Sequence, residues 1–268
     1  MSAINEQDNA GTGAPDLISG TDNVDAPDSA NAQCSVDTQD NANSSGQVNP
    51  EIILSLRHVQ RRFTQPADFV ERIGNLIKGR SKPKSVLAVA GVDLDIWAGE
   101  VVGIVGESGC GKSTLGRMVT GILPVSAGEI FYKGQSVAHM HQAARHEYEL
   151  GVQMIFQDPF SSLNPRMRVI DIIGEAPVVH GLVKSADKET YVAELMQKVG
   201  LDPAYRFRYP HQFSGGQRQR IGVARALALK PKVIVCDEAV AALDVSIQAQ
   251  VINLFIQLRR EFDLTYFF

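Results

Sequence analysis

VVGIVGESGCGKSTLGRMV, Val101 to Val119, decides how the rest of the chain is read. Its five leading apolar residues suit a short buried strand, and the segment from Lys112 onward has apolar groups at helical spacing. Between them GESGCGKS, Gly106 to Ser113, fits the pattern G-x-x-x-x-G-K-[ST] in its required context, strand before and helix after. Glycine at 106, 109 and 111 lets successive backbone N–H groups turn inward around a phosphate, where a helix N-terminus adds about half a positive charge. Gly106, Glu107, Ser108, Gly109, Cys110, Gly111, Lys112, Ser113 and Thr114 are therefore the candidate nucleotide-phosphate set. Lys112 offers a mobile point charge to β- and γ-phosphates, and the Ser113 hydroxyl suits a magnesium ion.

Working outward, VIVCDE places two acids at the end of a second buried strand. In an open parallel sheet that edge is where ligands lie, so Asp237 can hold magnesium through water and Glu238 can polarise an attacking water. VQMIF is another buried strand, with Gln157 directly after it. EIILSLRHV and VDLDIW read as strands further upstream, and GEIFYKG as a hairpin strand. Helical patterns dominate from about 158 to 225. Val192, Leu195, Met196 and Val199 form one apolar face there, and Ile247, Val251, Leu254, Phe255, Leu258 and Phe262 another on a later helix. Strands alternating with helices predict an α/β domain with a mostly parallel sheet covered on both faces and a helical insertion.

Composition narrows the class. Of 268 residues 44% are hydrophobic, enough for one sizeable domain, and the net charge of -4 hides an asymmetry. Residues 1–50 hold seven Asp, one Glu and no Lys or Arg. They read as a disordered acidic tail, because too few large apolar groups are present to offset the entropy of ordering. The remainder carries 26 basic against 22 acidic residues, too small an excess to argue for nucleic acid. RRFTQPADFVERIGNLIKGRSKPKS reads as a solvated basic loop with one short helix. Cys34, Cys110 and Cys236 share no metal or redox spacing, and His139, His141, His146 and His211 read as ordinary polar positions. No stretch of about 18 apolar residues exists to span a bilayer.

FSGGQRQR, Phe213 to Arg220, completes a set. With GESGCGKS, VIVCDE and Gln157 it resembles the nucleotide-binding subunit of ABC transporters from about residue 51 to 268. The resemblance implies a P-loop NTPase (RecA-like) core, an antiparallel β part of ABC type and an inserted helical subdomain at about 158–225. It implies ATP and Mg2+ as ligands, with Ser113, Gln157 and Asp237 at the metal and Glu238 and Gln157 in catalysis. Ser214, Gly215, Gly216 and Gln217 would match the signature that meets the γ-phosphate bound by a second subunit, in a homo- or heterodimer. Phe63 is the candidate aromatic for adenine, with a core or loop role as its rival.

MIFQDPFSSLNPRM and YPHQFSGGQRQRIGVARAL resemble most the oligopeptide and dipeptide branch of importers. That implies two transmembrane permease subunits, an external solute-binding protein acting through them, and a peripheral place on the cytoplasmic face of the membrane. Two other readings stand beside it: a nucleotide-binding module without turnover, and a soluble ABC ATPase of translation or DNA repair. The latter is disfavoured by the lack of a long coiled-coil insertion between Gln157 and Ser214.

The chain departs from the family pattern at Ala239, where Pro is usual after the glutamate, and at Ala241, where Ser is frequent, while Asp244 remains. LTYFF, Leu264 to Phe268, resembles the start of the family strand that continues into Ile-Ser-His-Asp. The expectation is a C-terminally incomplete domain lacking that histidine. Its last strand is expected beside the one ending at Asp237, with incomplete pairing.

Overall fold

The structure, a computed structural model, describes residues 35–38, 51–64, 85–158, 161–238 and 245–268. Most of the acidic tail, most of the basic segment, and Ala239, Ala241 and Asp244 lie outside the described residues.

Its first sheet contains β1 (Ser35–Thr38), β4 (Val101–Val105), β7 (Val152–Ile155), β8 (Val233–Cys236) and β9 (Thr265–Phe267), in the order β1-β4-β9-β8-β7. The last four run parallel, and β1 pairs antiparallel on the outer edge of β4. A second, antiparallel sheet has the order β3-β2-β5-β6, from β2 (Ile52–Thr64), β3 (Ser85–Trp97), β5 (Ala127–Tyr132) and β6 (Gln135–Ser136). The β5–β6 hairpin turns through Lys133 and Gly134, at φ 48 and 74, the pair of positive φ angles a tight primed turn demands.

Six α-helices are described: α1 (Lys112–Val119), α2 (Gln142–Gly151), α3 (Val169–Val179), α4 (Lys188–Lys198), α5 (Gly215–Leu227) and α6 (Val245–Phe262). They sort the interior into two cores. Ile234 and Cys236 of β8, with Tyr266 of β9, pack into a core filled by α3, α4, α5 and α6. Val233 and Val235 of β8, with Phe267 of β9, face the other, which joins α1 and the antiparallel sheet. The period of two along a strand sends alternate side chains to opposite layers, so a continuous apolar run such as VIVC is satisfied only between two layers. The predicted face Val192, Leu195, Met196 and Val199 is buried, as are Val251, Leu254, Phe255 and Leu258.

Two expectations need correction. Thr265–Phe267 pairs with β8, as expected, but also with β4 on its other side. β9 is thus an interior strand whose Tyr266 and Phe267 are 1% exposed, and its pairing is not incomplete. The edge strands are β1 and β7 instead, because β9 is inserted between β4 and β8 and β1 covers the outer side of β4. The second correction concerns the tail: composition predicts no ordered element in residues 1–50, yet Ser35–Thr38 forms a strand. The open backbone groups of β4 supply what those four residues lack locally, a partner ladder.

The register identifies which bonds hold β1. Ile104 N–H donates to Phe268 O at 2.8 Å and Phe268 N–H donates to Val102 O at 2.9 Å, so those two residues of β4 turn their backbone toward β9. Gly103 and Val105, opposite Asp37 and Ser35, turn theirs toward β1. Asp37→Pro should therefore remove a ladder donor and release β1, speeding amide exchange at Gly103 and Val105 by about tenfold, on the scale of one or two backbone bonds. Val36→Pro, whose N–H faces away from β4, should leave those two amides slow.

Candidate functional site

β4 delivers the chain into the glycine loop, and the loop delivers it into α1. Gly109 and Gly111 have φ of 87 and 105, a region closed to most side chains. At Gly111 the need is doubly strict: a Cβ would lie 2.3 Å from the carbonyl oxygen of Ala88 in β3. This close approach seats the loop against the antiparallel sheet. Gly111 also stands at the N-cap of α1 without a side-chain cap, leaving the first helical N–H groups, around Lys112, Ser113 and Thr114, for an anion. The Lys112 ammonium arches back over the loop and donates to Gly106 O at 2.8 Å and Glu107 O at 3.0 Å. Those two neutral carbonyl acceptors hold it over the loop. Cys110 donates its backbone N–H to Glu107 O at 3.2 Å, so the loop is closed by its own backbone.

Asp237 and Glu238 leave the end of β8 in different environments. The Asp237 side chain is 6% exposed, its backbone N–H donates to Ile155 O at 3.0 Å, and Arg117 Nη2 lies 3.7 Å from Oδ2. Glu238 is exposed and sits at φ 45, an uncommon backbone conformation for a residue with a side chain. Its Oε2 accepts from Gln157 Nε2 at 2.8 Å, so two residues 81 positions apart meet at the sheet edge. The structure thus places the loop and both acids after parallel strands of one sheet and joins Glu238 to Gln157. It adds Arg117, which sequence reading missed because a basic residue in the last turn of a helix already has an ordinary role, complementing the helix dipole.

Ser214 caps α5 in a reciprocal box: its Oγ accepts from the Gln217 N–H at 3.3 Å, and Gln217 Oε1 accepts from the Ser214 N–H at 3.0 Å. A Cβ at Gly216 would lie 2.8 Å from Ile247, so the small residue allows α6 to pack close, whereas Gly215 has open space. Further along α5, Arg225 Nη1 donates to Ser162 O at 2.5 Å, joining this helix to the segment after Gln157. Burial pushes the Arg225 guanidinium below its usual value.

Phe63 closes β2 opposite Val86 of β3, 39% exposed, with the Arg61 guanidinium 4.8 Å from its ring centroid. Val86 is two residues along β3 from Ala88, against which Gly111 packs. The histidines have other surroundings: His139 lies 3.8 Å from Glu129, and the His146 ring lies tilted against His180 with centroids 5.0 Å apart.

A parallel strand, a glycine loop heading a helix, and an acid pair at the end of a neighbouring strand define a phosphate-loop α/β fold. Residues 89–241 match the ABC transporter family. The chain is 47% identical over 221 residues to the oligopeptide transport ATP-binding protein AppF of Bacillus subtilis, covering 82% of this chain and 64% of that protein. It is 44% identical over 221 residues to the glutathione import ATP-binding protein GsiA of Escherichia coli, covering 82% of this chain and 34% of that one. It therefore spans less than two thirds of the length of these curated relatives. Among solved structures, the ATP-binding cassette MJ0796, in a dimeric post-hydrolysis state bound to ADP and Pi, matches 80% of this chain and 86% of its own with a TM-score of 0.64 at 22% identity. CbiO1 from Clostridium perfringens, part of the ABC transporter complex CbiONQ, gives 0.63 at 23% identity over 81% and 77%. Both share the fold. This chain belongs to the ABC transporter family.

The glycine geometry makes a graded prediction. Gly109→Ala, where a Cβ meets nothing within 4 Å, should cost only the left-handed backbone penalty, about 1 kcal/mol. Gly111→Ala adds the clash with Ala88 O and should cost about 2 kcal/mol or more in urea unfolding. Equal losses for the two would contradict the seating of the loop on β3.

Proposed function

We propose that this chain is the ATP-binding and ATP-hydrolysing subunit of an ABC importer, energising uptake of oligopeptides or dipeptides. The observation that carries the reading is the convergence at one sheet edge of the Lys112 loop, buried Asp237, and Glu238 held by Gln157. The oligopeptide-transport and glutathione-import relatives support the substrate class, although nothing in the described site reads a peptide.

In this reading the first turn of α1 and the inward N–H groups of the loop hold the phosphates. Lys112 exchanges the carbonyls of Gly106 and Glu107 for β- and γ-phosphate oxygens, gaining charge-assisted contacts in place of neutral ones. The donor set fits a hard divalent cation: a hydroxyl at Ser113, a buried carboxylate at Asp237 and an amide oxygen at Gln157. Bound there, Mg2+ would neutralise charge on the phosphates. Gln157 now spends its amide N–H on Glu238, and a half-turn of the amide about its terminal bond would present its oxygen to the metal. Glu238, exposed and free of the buried pair, orients a water and takes its proton. Phe63 stacks on adenine. The N-terminus of α5, at Ser214, Gly215, Gly216 and Gln217, meets the γ-phosphate held by a second cassette, and two such cassettes serve two permease subunits at the cytoplasmic face of the membrane.

Two substitutions separate binding from turnover. Lys112→Ala should weaken binding of a fluorescent ATP analogue by at least about tenfold, the scale of one lost charge-assisted contact to phosphate. Glu238→Gln should keep that affinity and lower magnesium-dependent phosphate release by about a hundredfold or more. Tight ATP binding by Lys112→Ala would refute the loop assignment. Absence of turnover in the unmutated chain, with ATP bound, would favour the module without hydrolysis.

A further inference from the structure

A carboxylate at the end of a strand buried on both faces is costly to leave charged unless an opposite charge or a metal stands beside it. Asp237 is in this position, and the cation set against it is Arg117, at 3.7 Å. That separation exceeds the 3.2 Å or so of a hydrogen bond, so the contact is one of charge with charge. It is built by packing. Gly116, directly before Arg117, lies so close to β8 that a Cβ there would stand 3.1 Å from Val235 Cγ1, two residues before Asp237. Leu115, Met118 and Val119 are buried around the same contact. The small residue lets α1 settle onto β8, and that approach brings the guanidinium to the carboxylate. The Arg117 side chain is nonetheless 47% exposed, so it has water to retreat into.

We propose that Arg117 is the counter-ion of Asp237 in the cation-free protein and competes with the divalent cation for that carboxylate, thereby setting the cation concentration at which the site fills. This rests on Asp237 being a metal residue, as in the function proposed above. Arg117 is a positioning residue in this scheme: it touches neither nucleotide nor metal, but faces and orders the carboxylate until the metal arrives. A divalent ion and a guanidinium cannot both crowd one buried carboxylate without repulsion, so the arginine swings outward as the ion enters. α1 carries Lys112 and the anion-binding turn at its start and Arg117 near its end, so one rigid helix senses phosphate at one end and cation at the other.

The test uses Mn2+ as the probe, followed by the electron paramagnetic resonance signal of the free ion, on the full nucleotide-free chain at constant ionic strength. Four proteins are compared: unmutated, Arg117→Gln, Asp237→Asn and the double variant. Asp237→Asn defines the binding that belongs to this site and removes any contributed by other acidic residues. Arg117→Gln should tighten the Asp237-dependent Mn2+ binding by about three- to tenfold, while lowering the melting temperature without metal and recovering it at saturating Mn2+. The double variant should match Asp237→Asn. Unchanged or weaker Mn2+ binding by Arg117→Gln overturns the proposal. Mn2+ binding by Asp237→Asn equal to the unmutated protein would instead overturn the metal role of Asp237, on which the proposal rests. Should Arg117→Gln not fold, Arg117→Lys, which draws the charge back along a shorter stem, should tighten binding by about twofold, and no gain there overturns the proposal.

Discussion

A strand buried on both faces can place charge only at its ends, and β8 is such a strand. Val233, Ile234, Val235 and Cys236 are at most 4% exposed and divide alternately between two cores. Burial pushes the Cys236 thiol far above its usual range, so it stays neutral within the sheet. The first position able to carry a charge is Asp237, and the second is Glu238. The chemistry at the sheet edge follows from this constraint, because both acids must emerge there, one still buried and one already in water.

Around that edge three charged groups have different partners. Lys112 is held by two backbone carbonyls, Asp237 faces Arg117, and Glu238 accepts from Gln157. None of these is a close ion pair in a dry cavity, the arrangement that would resist exchange most strongly. They are contacts that a polyphosphate and a divalent cation could take over one by one, with no group left buried and unpaired in between. Arg225 contributes differently, tying α5 to the segment that follows Gln157, so the helix headed by Ser214 and the loop carrying Gln157 are mechanically linked.

The order of the sheet decides which edges are open. With β9 lodged between β4 and β8, the strand that feeds the glycine loop has a free side, and β1 pairs there. The loop strand is thereby held from both directions, by Phe268 on one side and by the short strand from the acidic segment on the other.

The local features of this protein were legible in the amino-acid sequence. The glycine loop, the apolar runs and the acid pair are each written within a few consecutive residues, because backbone conformation and strand or helix periodicity are short-range properties. Resemblance then supplied the family, and proposed roles for Gln157 and Ser214. What only the tertiary structure decided lies between residues far apart in the chain. Arg117 against Asp237 depends on how closely α1 settles on β8 through Gly116, and Arg225 on where the loop after Gln157 passes. The interior place of β9 and the pairing of β1 depend on strand order, a property of the whole sheet. No local pattern encodes any of these, because a charge or a ladder bond is satisfied by whatever the fold brings alongside it, and that partner has no fixed spacing in the sequence.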